Sequence, residues 1–135
     1  MAGYSGKPLA DKLGIKGGHR IALLDAPPGF DATLGALPAG VTRQPGPAGA
    51  DVVVLFSRAE SALAEAFALA AKGLAAGGML WVAWPKKASR QPTDRTEDVV
   101  RRVGLAAGLV DVKVCAIDDT WSGLKFLRRR TNVPG

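Results

Sequence analysis

Cysteine and histidine are almost absent, since the 135-residue chain holds one of each, Cys115 and His19. A disulfide framework needs cysteine pairs, and a zinc site needs several Cys or His ligands, so neither supports this fold. No metal site is expected. Cys115 lies in the alternating stretch Val112, Val114, Ala116, with its side chain opposite to the valines, and reads as a small structural residue. Long apolar runs are missing too. None approaches the ~18 residues of a membrane span, and the opening Met-Ala-Gly-Tyr-Ser has neither the basic nor the apolar block of a signal peptide. A cytoplasmic protein without membrane contact is the expectation.

What is present is a folding composition. Hydrophobic residues make up 47% and charged residues 22%, which suits a globular chain rather than a disordered one. A chain of this length forms one domain and buries ~65–70% of its unfolded surface without staples. The domain is expected over residues 7–130, with flexible ends at 1–6 and 131–135. The net charge is +6, part of it in Arg128, Arg129 and Arg130 and part in Lys86, Lys87 and Arg90. No nucleic-acid motif, aromatic ladder or long basic helix accompanies those groups, so nucleic acid is not the expected partner.

Strand and helix signals alternate. His19 to Asp25, Asp51 to Phe56 ("DVVVLF") and Met79 to Trp84 ("MLWVAW") are continuous apolar runs, as in parallel strands covered on both faces. Between the last two, Ser57 and Glu60 make a capping box, Leu63, Phe67, Ala70 and Leu74 share one helix face, and Gly77-Gly78 offers a stop. Residues 51–84 therefore read as a βαβ unit with parallel strands. A further helix is expected from Thr96 to Gly108, with close packing at Gly104, where glycine costs ~1 kcal/mol of helix propensity. Two strands follow, Asp111 to Ile117 and Leu124 to Arg129, joined by the turn "DDTWSG" and antiparallel. At the front, Pro8 to Leu13 suits a short helix stopped by Gly14, Asp31 to Leu37 another, and Val41 to Gln44 a short edge strand. The polar, charged segment 86–96 reads as a mobile loop. The fold class is α/β: a single-domain, Rossmann-like three-layer sandwich whose mostly parallel sheet ends in an antiparallel strand pair.

That pattern resembles the class I methyltransferase-like Rossmann fold, truncated. "GGMLWVAWPK" looks like its fifth strand, and "LVDVKVCAIDDTWSGLKFLRR" like its terminal strand pair. The stretches "GYSGKPLADKLGIK", "WVAWPKK" and "TWSGLKF" also resemble a bacterial, actinomycete-type domain family of unknown function, from Gly3 to about Arg129. The methyltransferase resemblance implies a glycine-rich turn after the first strand and an acid at the end of the second, both serving S-adenosylmethionine. Here the turn is Asp25-Ala26-Pro27-Pro28-Gly29-Phe30, whose prolines supply no N–H, and no acid stands at Val41 to Gln44. S-adenosylmethionine is thus not the expected cofactor, and no other is indicated.

Open α/β sheets bind ligands at the carboxyl ends of parallel strands, where the strand order reverses. That rule selects Asp25, Pro27, Gly29, Phe30 and Ser57 as a candidate cofactor pocket, and Trp84, Lys86, Lys87, Asp118, Asp119 and Trp121 as candidate ligand or partner contacts. Plainer roles compete: core packing for Trp81 and Trp84, a lid over the strand ends for Trp121, solvated surface for the lysines, and turn shaping for the aspartates. No catalytic residue is assigned, because the acids lack a paired imidazole or other proton partner. The expected function is a non-catalytic, methyltransferase-like binding or scaffold domain that contacts a protein partner or small anionic ligand at this rim. A divergent S-adenosylmethionine-dependent methyltransferase and a basic nucleic-acid accessory domain stay as alternatives, and the oligomeric state stays open.

Overall fold

A computed structural model describes residues 8–57, 60–85, 97–118 and 120–128. The elements run α1 (Leu9–Leu13), β1 (Arg20–Leu24), α2 (Phe30–Leu34), β2 (Thr42–Gln44), β3 (Val52–Phe56), α3 (Glu60–Gly73), β4 (Met79–Pro85), α4 (Glu97–Ala106), β5 (Leu109–Ala116) and β6 (Trp121–Arg128). The six strands form one sheet in the order β2-β1-β3-β4-β6-β5. Pairs among the first four are parallel, whereas β6 is antiparallel to both β4 and β5. The expected Rossmann-like α/β architecture is therefore the one found.

The valine-rich strands are buried on both faces, and each face has its own core. Leu63, Phe67 and Ala70 of α3, Leu74 just past its end and Val100 of α4 pack on Val53, Leu55, Leu80 and Val82. Ala10 and Leu13 of α1 and Phe30 and Leu34 of α2 pack on Ile21, Val52, Val54 and Trp81 from the other side. Three layers result. Trp81 and Trp84, three apart in β4, enter opposite cores, as the period of a strand requires. The Trp81 indole stays satisfied in its core, donating from Nε1 to the Leu13 carbonyl at 2.9 Å.

Several boundaries differ from the sequence expectation, among them α2, which is Phe30–Leu34 rather than Asp31–Leu37, and β5, which starts at Leu109 rather than Asp111; two others have a clear packing cause. Helix α3 ends at Gly73, short of Gly77-Gly78, because its end docks on the loop before β3. The Gly49 amide donates to the Gly73 carbonyl at 2.7 Å, and a Cβ at Gly73 would meet the Pro47 carbonyl carbon at 3.0 Å. Strand β6 begins at Trp121, so Ser122 and Gly123 belong to the ladder rather than to the turn. Glycine is needed there for space: a Cβ at Gly123 would stand 2.9 Å from Ile117 Cδ1 and 3.2 Å from Trp81 Cε3.

The close packing expected at Gly104 is present, with Phe126 Cε2 only 2.0 Å from where a Cβ would lie. Gly14 ends α1 in the left-handed conformation, with φ +81°. Helix α4 is described from Glu97, so its expected start at Thr96 lies outside the described residues, as do Arg58 and Ala59 within the Ser57–Glu60 capping box. Both terminal segments and the 86–96 loop also fall largely or wholly outside them. No helix among the described residues is long and apolar enough to cross a membrane.

Candidate functional site

The strand order places the reversal between β1 and β3, since the chain steps from β1 to β2 on one side and then to β3 on the other. Ligands of open α/β sheets enter at the carboxyl ends of such a pair. Because β6 is antiparallel to β4, its first residue, Trp121, is paired with Pro85 at the same edge. Strand β5 reverses again and so runs in the direction of β4, delivering Ile117 and Asp118 to that edge. The geometry thereby joins the turn after β1 to the β5–β6 turn.

The turn after β1 is closed on itself. Asp25 leaves the strand at φ +60°, a left-handed value that aspartate tolerates better than most residues. Pro27 and Pro28 offer no donors, and the Phe30 amide is used by the Pro27 carbonyl at 3.1 Å. Gly29 takes φ +83° and starts α2 without a side-chain cap. Phe30 then turns back over the strand ends. Its ring meets Phe56, the last residue of β3, edge to face at 4.8 Å, and Phe56 meets Trp121 at 5.0 Å. All three rings are only 3% exposed. An aromatic stack thus joins the start of α2, the end of β3 and the start of β6 at the strand-end edge, and Trp121 is buried within it.

Beside the stack lies a cavity of about 250 Å³, lined by Pro27, Pro28, Gly29, Phe30, Thr33, Asp118, Thr120 and Trp121. It gathers Pro27, Gly29, Phe30, Asp118 and Trp121 from the sequence candidates. Asp25 and Ser57 do not line it, and Trp84, 7% exposed, is buried in the core beneath α3 and α4. Lys86, Lys87 and Asp119 lie outside the described residues. Thr33 and Thr120 were not foreseen. Thr33 could have been, because it stands three residues after Phe30 in α2 and so shares its face.

Asp118 is committed to the turn. Its Oδ1 accepts from the Thr120 and Trp121 amides, both at 2.8 Å, while the Trp121 carbonyl accepts from the Ile117 and Asp118 amides. The carboxyl end of β2 is committed as well: Arg43 pairs with Asp31 of α2 at 2.8 Å, and the Gln44 amide donates to the Gly46 and Ala48 carbonyls. That end holds a cation and an amide where the methyltransferase resemblance implies an acid. His19 stands at the opposite edge, before β1, where its Nδ1 accepts from the Lys16 amide. Of the terminal arginines, Arg128 donates to the Ala71 and Leu74 carbonyls and so caps α3, while Arg129 and Arg130 lie outside the described residues. No three His, Cys, Asp or Glu side chains cluster as a metal set among the described residues.

Sheet order and edge geometry define a Rossmann-like α/β domain. Residues 45–130 match the family described as "Protein of unknown function (DUF3052)", and the chain belongs to that family. No curated protein matches it. Among solved structures, it is similar to the fibrillarin pre-rRNA processing protein of Methanococcus jannaschii, with 16% identity, 93% of this chain and 70% of that chain covered, and a TM-score of 0.57. Magnesium protoporphyrin IX methyltransferase from Synechocystis PCC 6803, solved with bound S-adenosylmethionine, gives 10% identity, 90% and 74% coverage, and a TM-score of 0.57. The O-methyltransferase NcsB1 from neocarzinostatin biosynthesis gives 15% identity, a TM-score of 0.55 and 83% coverage of this chain, which spans 49% of that enzyme's length. At these identities the likeness establishes the fold.

Proposed function

We propose that this domain is a non-catalytic binding module that keeps a methyltransferase-like sheet and uses its strand-end rim to contact a protein partner or small ligand. The observation that supports this reading is the buried Phe30–Phe56–Trp121 stack at the strand-end edge. On this reading the three rings take up room that a nucleoside cofactor would need. The cavity beside the stack, about 250 Å³, is smaller than the ~300–1,000 Å³ of ordinary ligand pockets. Its polar groups are the hydroxyls of Thr33 and Thr120 and the carboxylate of Asp118, which favour a hydrogen-bonding contact over proton transfer. The doubled proline also removes N–H groups that a phosphate or carboxylate would use.

A thermal-shift series tests the reading. S-adenosylmethionine and its demethylated product at millimolar concentration leave the melting temperature unchanged, because a ligand that does not bind the native state cannot stabilise it. A saturable rise with either compound, together with methyl transfer to any acceptor, would return the domain to the enzymes. A rise with another small molecule that Thr33→Arg abolishes would identify the rim as the binding site.

A further inference from the structure

A second charged feature lies away from the rim, on the sheet face that α1 covers. Lys113 of β5 and Lys125 of β6 are direct cross-strand partners. Both belong to the α1 side of the sheet: Lys113 alternates with Cys115, which packs on that core, and Lys125 alternates with Gly123, which abuts Ile117 and Trp81. The Lys125 ammonium reaches the end of α1, where a Cβ built on Gly14 would stand 4.0 Å from Nζ. Lys16 acts electrostatically on Lys125, and Lys12 acts on Cys115 together with Lys113. Lys113, Lys125 and Lys16, two residues beyond Gly14, therefore share one patch, with Lys12 at its border.

Such a patch works against the fold. Like charges directly opposite on neighbouring strands repel. Burial, followed by repulsion from Lys113 and Lys16, pushes the Lys125 ammonium below the ordinary lysine range. A lysine on an edge strand such as β5 protects against unwanted pairing, but Lys125 is on β6, an inner strand, where that need is absent. Local conflict of this kind is expected where a site has a use.

We propose that Lys16, Lys113 and Lys125 form a binding site for a compact polyanion carrying phosphate groups. Lysine binds phosphate as a point charge and needs no planar fork, so neighbouring ammonium groups on one sheet face suit it. A small ligand fits better than a single-stranded nucleic acid. The exposed large hydrophobic side chains are Leu69, Leu105, Val112 and Val114, so no aromatic stacking platform is present among the described residues. This site is separate from the rim and stands whether or not the rim binds anything.

The test is a calorimetric titration of the whole chain with sodium tripolyphosphate at low ionic strength. Saturable one-site binding is expected, weakened by roughly fivefold or more in Lys113→Gln and again in Lys125→Gln, and unchanged in Lys72→Gln on α3. The same Lys113→Gln change is expected to raise the melting temperature without ligand, since it removes a repulsion. Absence of binding, or equal affinity in the double lysine variant, would overturn the proposal. So would duplex or single-stranded oligonucleotide binding that outcompetes tripolyphosphate at the same lysines, which would make the site a nucleic-acid contact.

Discussion

Replacing Phe56 by alanine examines the aromatic stack at its centre. The side chain is 3% exposed and touches Phe30 at 4.8 Å with planes at 72° and Trp121 at 5.0 Å with planes at 89°. Truncating a buried phenylalanine costs about 3–5 kcal/mol. Each edge-to-face contact contributes about 0.5–1.5 kcal/mol of such a loss, and two are broken together, so the upper half of that range, about 4–5 kcal/mol, is expected. Phe56→Leu keeps much of the volume but breaks both ring contacts, and is expected to cost about 1–2 kcal/mol. Urea unfolding followed by tryptophan fluorescence measures both. The midpoint should fall in the order native, leucine, alanine, with little change in slope. An alanine variant that loses less than about 2 kcal/mol, or no more than the leucine variant, would show that the stack is not a packed plug and refute the reasoning.

Gly104→Ala should destabilise despite a helix-propensity gain of about 1 kcal/mol, because overpacking costs about 1–3 kcal/mol. Phe126 cannot easily yield here, being stacked on Phe67 at 5.0 Å, so thermal unfolding should show a lower melting temperature and a neutral result would contradict the packing. The Asp111 carboxyl is held below the ordinary carboxylate range chiefly by its hydrogen bond from Arg101, at 2.8 Å. A depressed folded-state pKa adds stability that is present above about pH 4, the unfolded value, and is lost as pH falls through the folded one. Asp111→Asn should accordingly flatten the acid limb of a melting-temperature profile below that pH, and an unchanged limb would contradict the pairing. Asp118→Ala removes the acceptor for two amides and should cost about 1–3 kcal/mol in denaturant unfolding, while Asp118→Asn, which keeps an oxygen acceptor, should cost less than half as much.

Much of the fold was legible because its strongest signals are physical necessities of a covered sheet. Valine runs mark β3, the apolar spacing of Leu63, Phe67 and Ala70 marks the buried face of α3, and Gly104 in a helix announces a close neighbour. Where the reading slipped, a residue with a turn habit was serving packing. Ser122 and Gly123 resemble loop residues, yet Gly123 is small because Ile117 and Trp81 press on the strand, contacts that no local pattern encodes. The early end of α3 has the same origin, since Gly73 is fixed by the distant loop at Pro47 and Ala48.

The candidate site divides in the same way. Strand order alone brought the turn after β1 to Asp118 and Trp121, because the rule about carboxyl ends needs only topology. The meeting of Phe30, Phe56 and Trp121 rests on contacts across 26 and 65 residues of chain and on a helix that starts at Phe30 itself. Trp84 illustrates the converse. Its place at a strand end suggested the rim, but strand alternation turned it beneath α3 and α4. The lysine patch was invisible in sequence because Lys12 and Lys16 are distant from Lys113 and Lys125, and only the β5–β6 register and the position of α1 unite them.

The proposed function turns on whether the packed aromatic stack at the strand ends keeps the cofactor out. Its most direct test is a titration of the isotope-labelled protein with S-adenosylmethionine, following the amide signals of Gly29, Phe30, Thr120 and Trp121. No movement of these four signals at millimolar cofactor is the predicted result. Saturating shifts at Gly29 and Phe30, with the Trp121 signal moving in step, would mean that the stack opens to admit the cofactor and would contradict the account.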